Sequence, residues 1–203
     1  MRSIRIASLA MLVLLAAALP ALADDTQTAI FAGGCFWCEE SAFDGLPGVV
    51  AAISGYTGGH TKDPSYEEVS SGTTGHAESS KVVFDPKKVT YEKLLDVYWH
   101  NVDPFDGDGQ FCDRGSQYRP AIFYLDETQK KAAEASKRKL EEDPKFKGKI
   151  AVQIVAASAF YPAEEYYQDY CKKKPTNYNL YRYGCRRDAR LKAVWGDAAG
   201  GHK

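Results

Sequence analysis

The chain has 203 residues, of which 44% are hydrophobic and 26% charged, a composition that predicts one soluble globular domain with a substantial core. The formal net charge is −1, so the charge balance predicts binding neither to nucleic acid nor to an anionic membrane surface.

The first 23 residues have the pattern of a secretory signal peptide. Arg2 and Arg5 form a short basic region, an apolar run covers 6–19, and the stretch 21–23 (ALA) is a small-x-small site that signal peptidase cuts. The apolar run is too short to span a bilayer comfortably. We therefore expect a mature domain over 24–203 that is exported, with the bacterial periplasm as the natural compartment, and that has no stable membrane association after cleavage.

Short strands and helices alternate along the rest of the chain. Strands are predicted over 28–32, 49–56, 79–84, 121–125 and 150–156 from apolar runs and alternation. Helices are predicted over 35–43, 65–70, 90–101 and 126–142, and from Pro162 to just before Pro175, with Ser65, Thr90 and Asp126 as N-caps. The tail over 176–203 shows no strong period. This order predicts a single α+β domain with a central mixed sheet flanked by helices.

Five cysteines are present, at positions 35, 38, 112, 171 and 185. In an oxidising compartment cysteines usually form structural disulfides. Because the number is odd, at least one thiol must stay free or pair between chains.

The most informative segment is Gly33 to Glu40 (GGCFWCEE). Its two glycines allow a sharp turn from strand to helix and place Cys35 in the first helical turn, beside unpaired N–H groups and the positive dipole end. Both effects favour the nucleophilic thiolate, so we expect a lowered pKa for Cys35. Phe36 and Trp37 follow directly and can wall an apolar pocket.

Other interpretations of Cys35 and Cys38 remain open from these residues alone. The pair could form a structural disulfide or act as a thioredoxin-like thiol–disulfide oxidoreductase, although Phe-Trp is bulky between such cysteines. A non-enzymatic alternative is an exported binding domain stapled by disulfides. No metal site is predicted, because the sequence has no second CxxC and no HxxxH pair.

The segment GCFWCEE resembles the signature of the peptide methionine sulfoxide reductase A family. The resemblance extends from Thr28 to Gly196 through the segments SGYTGGHTKDPSYEEVSSGTTGHAES, VVFDP, DRGSQYRPAIFY, FYPAEEYYQDY and VWG. It implies a ferredoxin-like core. It also implies the following roles: Cys35 as the nucleophile, Glu78 as the acid, Tyr66 and Tyr118 as sulfoxide-binding hydroxyls, Asp113 as a further site residue, and Phe36 and Trp37 as the aromatic wall.

The family's reaction follows from the resemblance. The S epimer of methionine sulfoxide, free or in oxidised proteins, is reduced while Cys35 becomes a sulfenic acid. A resolving thiol then forms a disulfide, and a thioredoxin-like dithiol reduces it, without metal, flavin or nicotinamide cofactor. We rank Cys185 first as the resolving thiol and Cys38 second, with Cys112 and Cys171 behind them. One departure is Tyr167, where the family often has histidine.

Overall fold

A mixed six-stranded sheet forms the centre of the fold, in the order β7-β6-β1-β3-β2-β8. The computed structural model describes residues 26–146 and 149–200, so the predicted signal segment over 1–23 lies outside the described residues. The strands are β1 Gln27–Ala32, β2 Val49–Thr57, β3 Ala77–Phe84, β4 Gly109–Gln110, β5 Asp113–Arg114, β6 Ala121–Tyr124, β7 Gln153–Ala156 and β8 Tyr161–Pro162. β4 and β5 form a separate two-stranded hairpin.

Seven α-helices accompany these strands in the described part of the chain. They are α1 Phe36–Phe43, α2 Tyr66–Ser70, α3 Tyr91–Trp99, α4 Glu127–Glu142, α5 Tyr170–Lys173, α6 Pro175–Gly184 and α7 Arg187–Trp195. None of the helices within 26–146 and 149–200 has the length and apolar character needed to cross a membrane.

The sheet topology confirms the predicted α+β fold. The order of elements β1-α1-β2-β3-α3-β6, with β6-β1-β3-β2 side by side, is the ferredoxin-like arrangement. β6 and β7 are parallel, because α4 carries the chain back across the sheet, and the other pairs in this sheet are antiparallel. The sheet is therefore mixed, as the sequence predicts.

The core lies between the sheet and the helices α1 and α3. The Phe31 ring stacks on Phe43 and on Tyr98, with both pairs of ring centroids 5.1 Å apart. The Tyr98 hydroxyl is buried but donates to the Ala32 carbonyl oxygen at 2.9 Å, so its polar end is satisfied. This packing fixes the end of β1, from which the chain turns into α1.

The three predicted helix caps are confirmed. The Ser65, Thr90 and Asp126 side chains each accept a hydrogen bond from the third helical N–H. The Ser65 backbone N–H in turn donates to the Glu68 carboxylate at 2.8 Å, which completes a capping box at the start of α2.

One expectation for the C-terminal third is wrong. Pro162 does not begin a helix: it lies in the edge strand β8, paired with β2, where the missing N–H of proline costs nothing. A helix does end just before Pro175, because α5 stops at Lys173, and Pro175 then begins α6, since proline suits the first helical position.

The tail forms helices in its described part, up to residue 200, although its sequence shows no strong period. It forms α6 and α7, and α7 buries Leu191, Val194 and Trp195. The sequence pattern was weak because the inward positions include Arg187, a charged residue that interrupts the apolar period.

Candidate active site

The turn between β1 and α1 positions Cys35 as the N-cap residue of α1. Gly34 has a φ of +88°, in the left-handed region that glycine adopts without strain. At Gly33, a Cβ atom would approach the Glu39 Oε1 atom to 2.1 Å. The turn that presents the thiol therefore depends on both glycines.

A cavity of about 100 Å³ opens beside Cys35. Every catalytic and substrate-binding residue predicted from the sequence lines it, together with Tyr181: Cys35, Phe36, Trp37, Tyr66, Glu78, Asp113 and Tyr118. A larger cavity of about 680 Å³ lies between α3 and α4, but no cysteine is among its lining residues. The small cavity is the candidate site because a thiol and several proton donors converge there.

Glu78 lies on β3 with 2% of its surface exposed. Its Oε2 atom accepts the backbone N–H of Phe36 at 3.0 Å. Burial raises the pKa of Glu78 to about 8, although the bond from Phe36 acts in the opposite direction. At neutral pH the carboxyl group is therefore mostly protonated and can donate a proton into the cavity.

Two tyrosine hydroxyls face the same cavity. Tyr66 is the first residue of α2 and Tyr118 ends a short 3-10 helix that begins at Ser116. Burial raises the pKa of both hydroxyls, and the nearby Glu78 carboxyl group adds to the effect. Both groups are therefore protonated at neutral pH and serve as hydrogen-bond donors.

Aromatic rings form the apolar side of the cavity. The Phe36 ring packs against Tyr66 with 6.2 Å between centroids, and Trp37 stacks on Tyr170 at 3.8 Å. Tyr167 packs on Tyr66 with 4.6 Å between ring centroids. Tyr167 therefore supports the position of Tyr66 through ring contact.

Asp113 closes the cavity on the side of the β4–β5 hairpin. Its carboxylate accepts a short hydrogen bond from the Tyr181 hydroxyl. Burial raises the pKa of Asp113, and the bond from Tyr181 opposes that rise. The sequence did not predict a role for Tyr181. Nothing in a tail without an apolar period indicates that this tyrosine bonds to Asp113.

The expected lowering of the Cys35 pKa is wrong for this structure. Burial is the largest cause that raises the pKa of Cys35, and the neighbouring Cys38 and the carboxyl groups of Glu78 and Asp113 add to it. The nearest helical amide, Phe36 N–H, is already bonded to Glu78. The pKa of Cys38 is instead lowered to about 6, because its thiolate accepts a hydrogen bond from Cys35 and lies near the Arg187 guanidinium.

Cys112 and Cys185 form a disulfide with a Cα–Cα distance of 4.9 Å, whereas Cys35, Cys38 and Cys171 are free. Both sulfur atoms lie within 4.8 Å of a carboxylate oxygen of Asp113, a residue that lines the cavity. The disulfide is thus at the border of the site. Cys112 is its exposed member.

Cys185, ranked first as the resolving thiol, has a fixed position at the end of a helix. Cys185 is the C-cap residue of α6, and its N–H donates to the Tyr181 carbonyl oxygen at 2.9 Å. An ordered helix end and the bond to Cys112 hold its sulfur beside the cavity.

Comparison with known proteins decides the family. The family model of peptide methionine sulfoxide reductase matches residues 27–199. A peptide methionine sulfoxide reductase MsrA of Bacillus licheniformis is 54% identical over 175 residues, which cover 86% of this chain and 97% of that protein. The chain belongs to the peptide methionine sulfoxide reductase family. It is a thiol-dependent oxidoreductase that reduces methionine sulfoxide, as the sequence predicts.

Further relatives support this membership over the full domain. Peptide methionine sulfoxide reductase MsrA 2 of Caulobacter vibrioides is 51% identical, with 97% of this chain and 100% of that protein covered. The crystal structure of reduced Mxr1 from Saccharomyces cerevisiae superposes with a TM-score of 0.68 at 34% identity, over 75% of this chain and 87% of that one. Methionine sulfoxide reductase A of Corynebacterium diphtheriae gives a TM-score of 0.66 at 34% identity, over 74% of this chain and 76% of that one.

Proposed function

We propose that this reductase acts on the S epimer of methionine sulfoxide, free or within oxidised proteins, with Cys35 as the nucleophile and Glu78 as the general acid. The observation that carries the proposal is the single cavity of about 100 Å³ that holds a thiol, a buried carboxyl group and two tyrosine hydroxyls. A cavity of that size admits the methylsulfinyl end of a side chain. The methyl group contacts Phe36 and Trp37.

The first step transfers oxygen to sulfur. Glu78 protonates the sulfoxide oxygen as the Cys35 sulfur attacks, and the proton of the Cys35 thiol passes to Glu78. Tyr66 and Tyr118 donate hydrogen bonds to the oxygen as its charge develops. The oxygen is transferred to the Cys35 sulfur, which becomes a sulfenic acid, and the methionine thioether is released. One sulfoxide is reduced and one thiol is oxidised, so the electrons balance.

The second stage returns Cys35 to its thiol form by way of Cys185 and Cys112. The Cys185 thiol attacks the sulfenic acid, forms a Cys35–Cys185 disulfide and releases water. The Cys112 thiol then attacks the Cys185 sulfur, which frees Cys35 as a thiol and leaves a Cys112–Cys185 disulfide. The disulfide pair next to Asp113, with Cys35 free, supports this order because it corresponds to the state after the exchange.

Regeneration then requires an external dithiol. The Cys112 sulfur is exposed, so a thioredoxin-like domain can attack it, and two electrons pass from the dithiol to the Cys112–Cys185 bond. Thiol exchange with a protein suits an exposed sulfur better than the buried Cys35. In an oxidising compartment this reductant must itself be supplied with electrons.

Export is a further part of the proposal. The basic residues Arg2 and Arg5, the apolar run over 6–19 and the stretch 21–23 direct secretion, and cleavage leaves Asp24 at the mature N-terminus. Expression in a Gram-negative host, followed by osmotic shock and N-terminal sequencing, should recover a soluble periplasmic protein that begins at Asp24. A full-length cytosolic product would contradict this assignment.

The decisive experiment compares both epimers of an N-blocked methionine sulfoxide with the mature protein and dithiothreitol. We expect turnover of the S epimer alone, abolished by Cys35→Ser and retained by Cys171→Ser, which removes a free thiol not among those lining the cavity. If a folded protein reduced neither epimer but reduced insulin disulfides, the thiol–disulfide oxidoreductase alternative at Cys35 and Cys38 would replace this proposal.

A further inference from the structure

Arg187 is a buried cation at the start of α7, with 1% of its surface exposed. Its guanidinium donates to the Gly33 carbonyl oxygen at 3.2 Å and to the Asn101 carbonyl oxygen at 2.7 Å. It also forms an ion pair with the buried Glu39 at 3.3 Å. A guanidinium removed from water is costly, so these contacts need an explanation.

The contacts of Arg187 join three segments that carry cysteines. Gly33 belongs to the turn that presents Cys35. The guanidinium carbon also lies 4.2 Å from the centroid of the Phe111 ring, and Phe111 directly precedes Cys112. Arg187 itself follows Cys185 by two residues.

The backbone at two of these junctions is unusual. Phe111 has a φ of +57° and Arg186 a φ of +53°, both in the left-handed region that non-glycine residues rarely adopt. Each of these residues lies next to a member of the disulfide pair, Cys112 or Cys185. Such conformations persist only where the surroundings hold them. The Arg187 guanidinium packs on the Phe111 ring, and Arg187 directly follows Arg186 in the chain.

Stability alone does not account for the pair of Arg187 and Glu39. Arg187 Nε and Glu39 Oε2 are buried without a hydrogen-bond partner in the described structure. An incompletely satisfied buried ion pair is often no more stable than apolar side chains of similar volume. The pair therefore calls for an explanation other than stability.

We propose that Arg187 is a positioning residue for regeneration: it holds the segments that carry Cys112 and Cys185 against the turn that carries Cys35. The inference rests on the proposed function, in which the Cys185 thiol must reach the Cys35 sulfenic acid. Preorganisation raises the effective concentration of the Cys185 thiol at the Cys35 sulfenic acid. Loss of the guanidinium leaves the oxygen-transfer residues in place and slows disulfide formation.

The test separates the two stages. Reduced protein is mixed with excess methionine S-sulfoxide without any reductant, and the first release of methionine is followed by rapid quench. Formation of the Cys112–Cys185 disulfide is followed by peptide mapping, and the Cys35 sulfenic acid is trapped with dimedone. Arg187→Met and Arg187→Lys are compared with Arg190→Met, since Arg190 lies on the same helix but is exposed and pairs with Asp103.

For Arg187→Met we expect methionine release within about threefold of the unaltered enzyme, disulfide formation at least about tenfold slower, and accumulation of the dimedone adduct. Arg187→Lys keeps the charge without the planar fork of donors, so its rate of disulfide formation should lie between those of Arg187→Met and the unaltered enzyme. This variant also keeps the test valid if Arg187→Met fails to fold. Arg190→Met should leave both rates unchanged.

Two results would overturn the positioning role. The first is an equal slowing of methionine release and disulfide formation, which would mean that Arg187 shapes the oxygen-transfer site. The second is no change in either rate for a folded variant. Failure of the proposed function itself looks different, because the unaltered enzyme would then release no methionine in the first turnover.

Discussion

The Glu78 carboxyl group accepts the backbone N–H of Phe36, the amide that directly follows Cys35, at 3.0 Å. One hydrogen bond therefore fixes the position of the acid relative to the nucleophile. It also uses the helical amide that would otherwise favour a Cys35 thiolate. The resting site keeps its acid protonated and its nucleophilic thiol buried until the sulfoxide enters.

Replacement of Glu78 by glutamine should abolish most of the oxygen transfer. Glutamine keeps an oxygen that can accept the Phe36 N–H but has no acidic proton, so kcat should fall by roughly 10²–10⁴-fold. Single-turnover release of methionine measures this directly. Glu67→Gln, which changes an exposed carboxylate on α2, serves as the control and should be unaffected. A Glu78→Gln enzyme with near-normal kcat would rule out Glu78 as the acid.

The pH dependence of kcat/KM should reflect the protonated form of Glu78. Since burial raises the pKa of Glu78 to about 8, the acid is available below that pH and lost above it. We therefore expect kcat/KM to fall as the pH rises through about 8. The residual activity of Glu78→Gln should lack this descending limb, and persistence of the limb in that variant would assign it to another group.

Much of the fold is predictable because local signals agree with the tertiary structure. Ser65, Thr90 and Asp126 are good N-caps, and each caps the predicted helix. Pro162 misled the prediction because proline suits both a helix start and an edge strand, and only the pairing with β2 distinguishes the two.

The site could be predicted only where the sequence matches the family's motifs. The residues lining the cavity come from segments far apart in sequence, and the family resemblance rather than any local pattern brought Tyr66, Glu78 and Tyr118 together. The pKa of Cys35 could not be predicted because it depends on burial and on the partner of one amide. Arg187 went unnoticed because a lone arginine in a polar tail gives no sign of burial.

The two tyrosine hydroxyls should stabilise the transition state rather than the bound substrate. Tyr66→Phe and Tyr118→Phe each remove one donor and keep the ring, so kcat should fall by roughly 10²-fold for each, with little change in KM. Tyr183→Phe is the matched control, since Tyr183 is 84% exposed. A rise in KM at constant kcat would instead indicate that the hydroxyls bind the ground state.

Removal of the buried carboxyl group at position 78 should also alter how stability depends on pH. The pKa of Glu78 in the folded protein, about 8, lies above the ordinary value of 4.5, so folding retains a proton that the unfolded chain loses between these values. The free energy of unfolding therefore falls as pH rises from about 4.5 to 8. Glu78→Gln should show a smaller fall in urea titrations at pH 5 and 8. Part of the slope should remain, because burial also raises the pKa of Glu39 to about 7.

Replacement of individual cysteines by serine should stop the series of thiol–disulfide reactions at different steps. Without external reductant, Cys35→Ser should release no methionine, whereas Cys185→Ser should release one equivalent and retain a Cys35 sulfenic acid. Cys112→Ser should also release one equivalent but trap a Cys35–Cys185 disulfide, because no thiol then frees Cys35. Mass spectrometry of the quenched proteins distinguishes these products.

The same series tests Cys38, the second candidate for the resolving thiol. Cys38 is buried beside Cys35, and its lowered pKa of about 6 makes it a good nucleophile at neutral pH. If Cys185 resolves the sulfenic acid, Cys38→Ser should still form the Cys112–Cys185 disulfide within one turnover, as should the control Cys171→Ser. A Cys35–Cys38 disulfide trapped in Cys185→Ser, together with a sulfenic acid that persists in Cys38→Ser, would instead place Cys38 first in the sequence and make the Cys112–Cys185 pair its later acceptor.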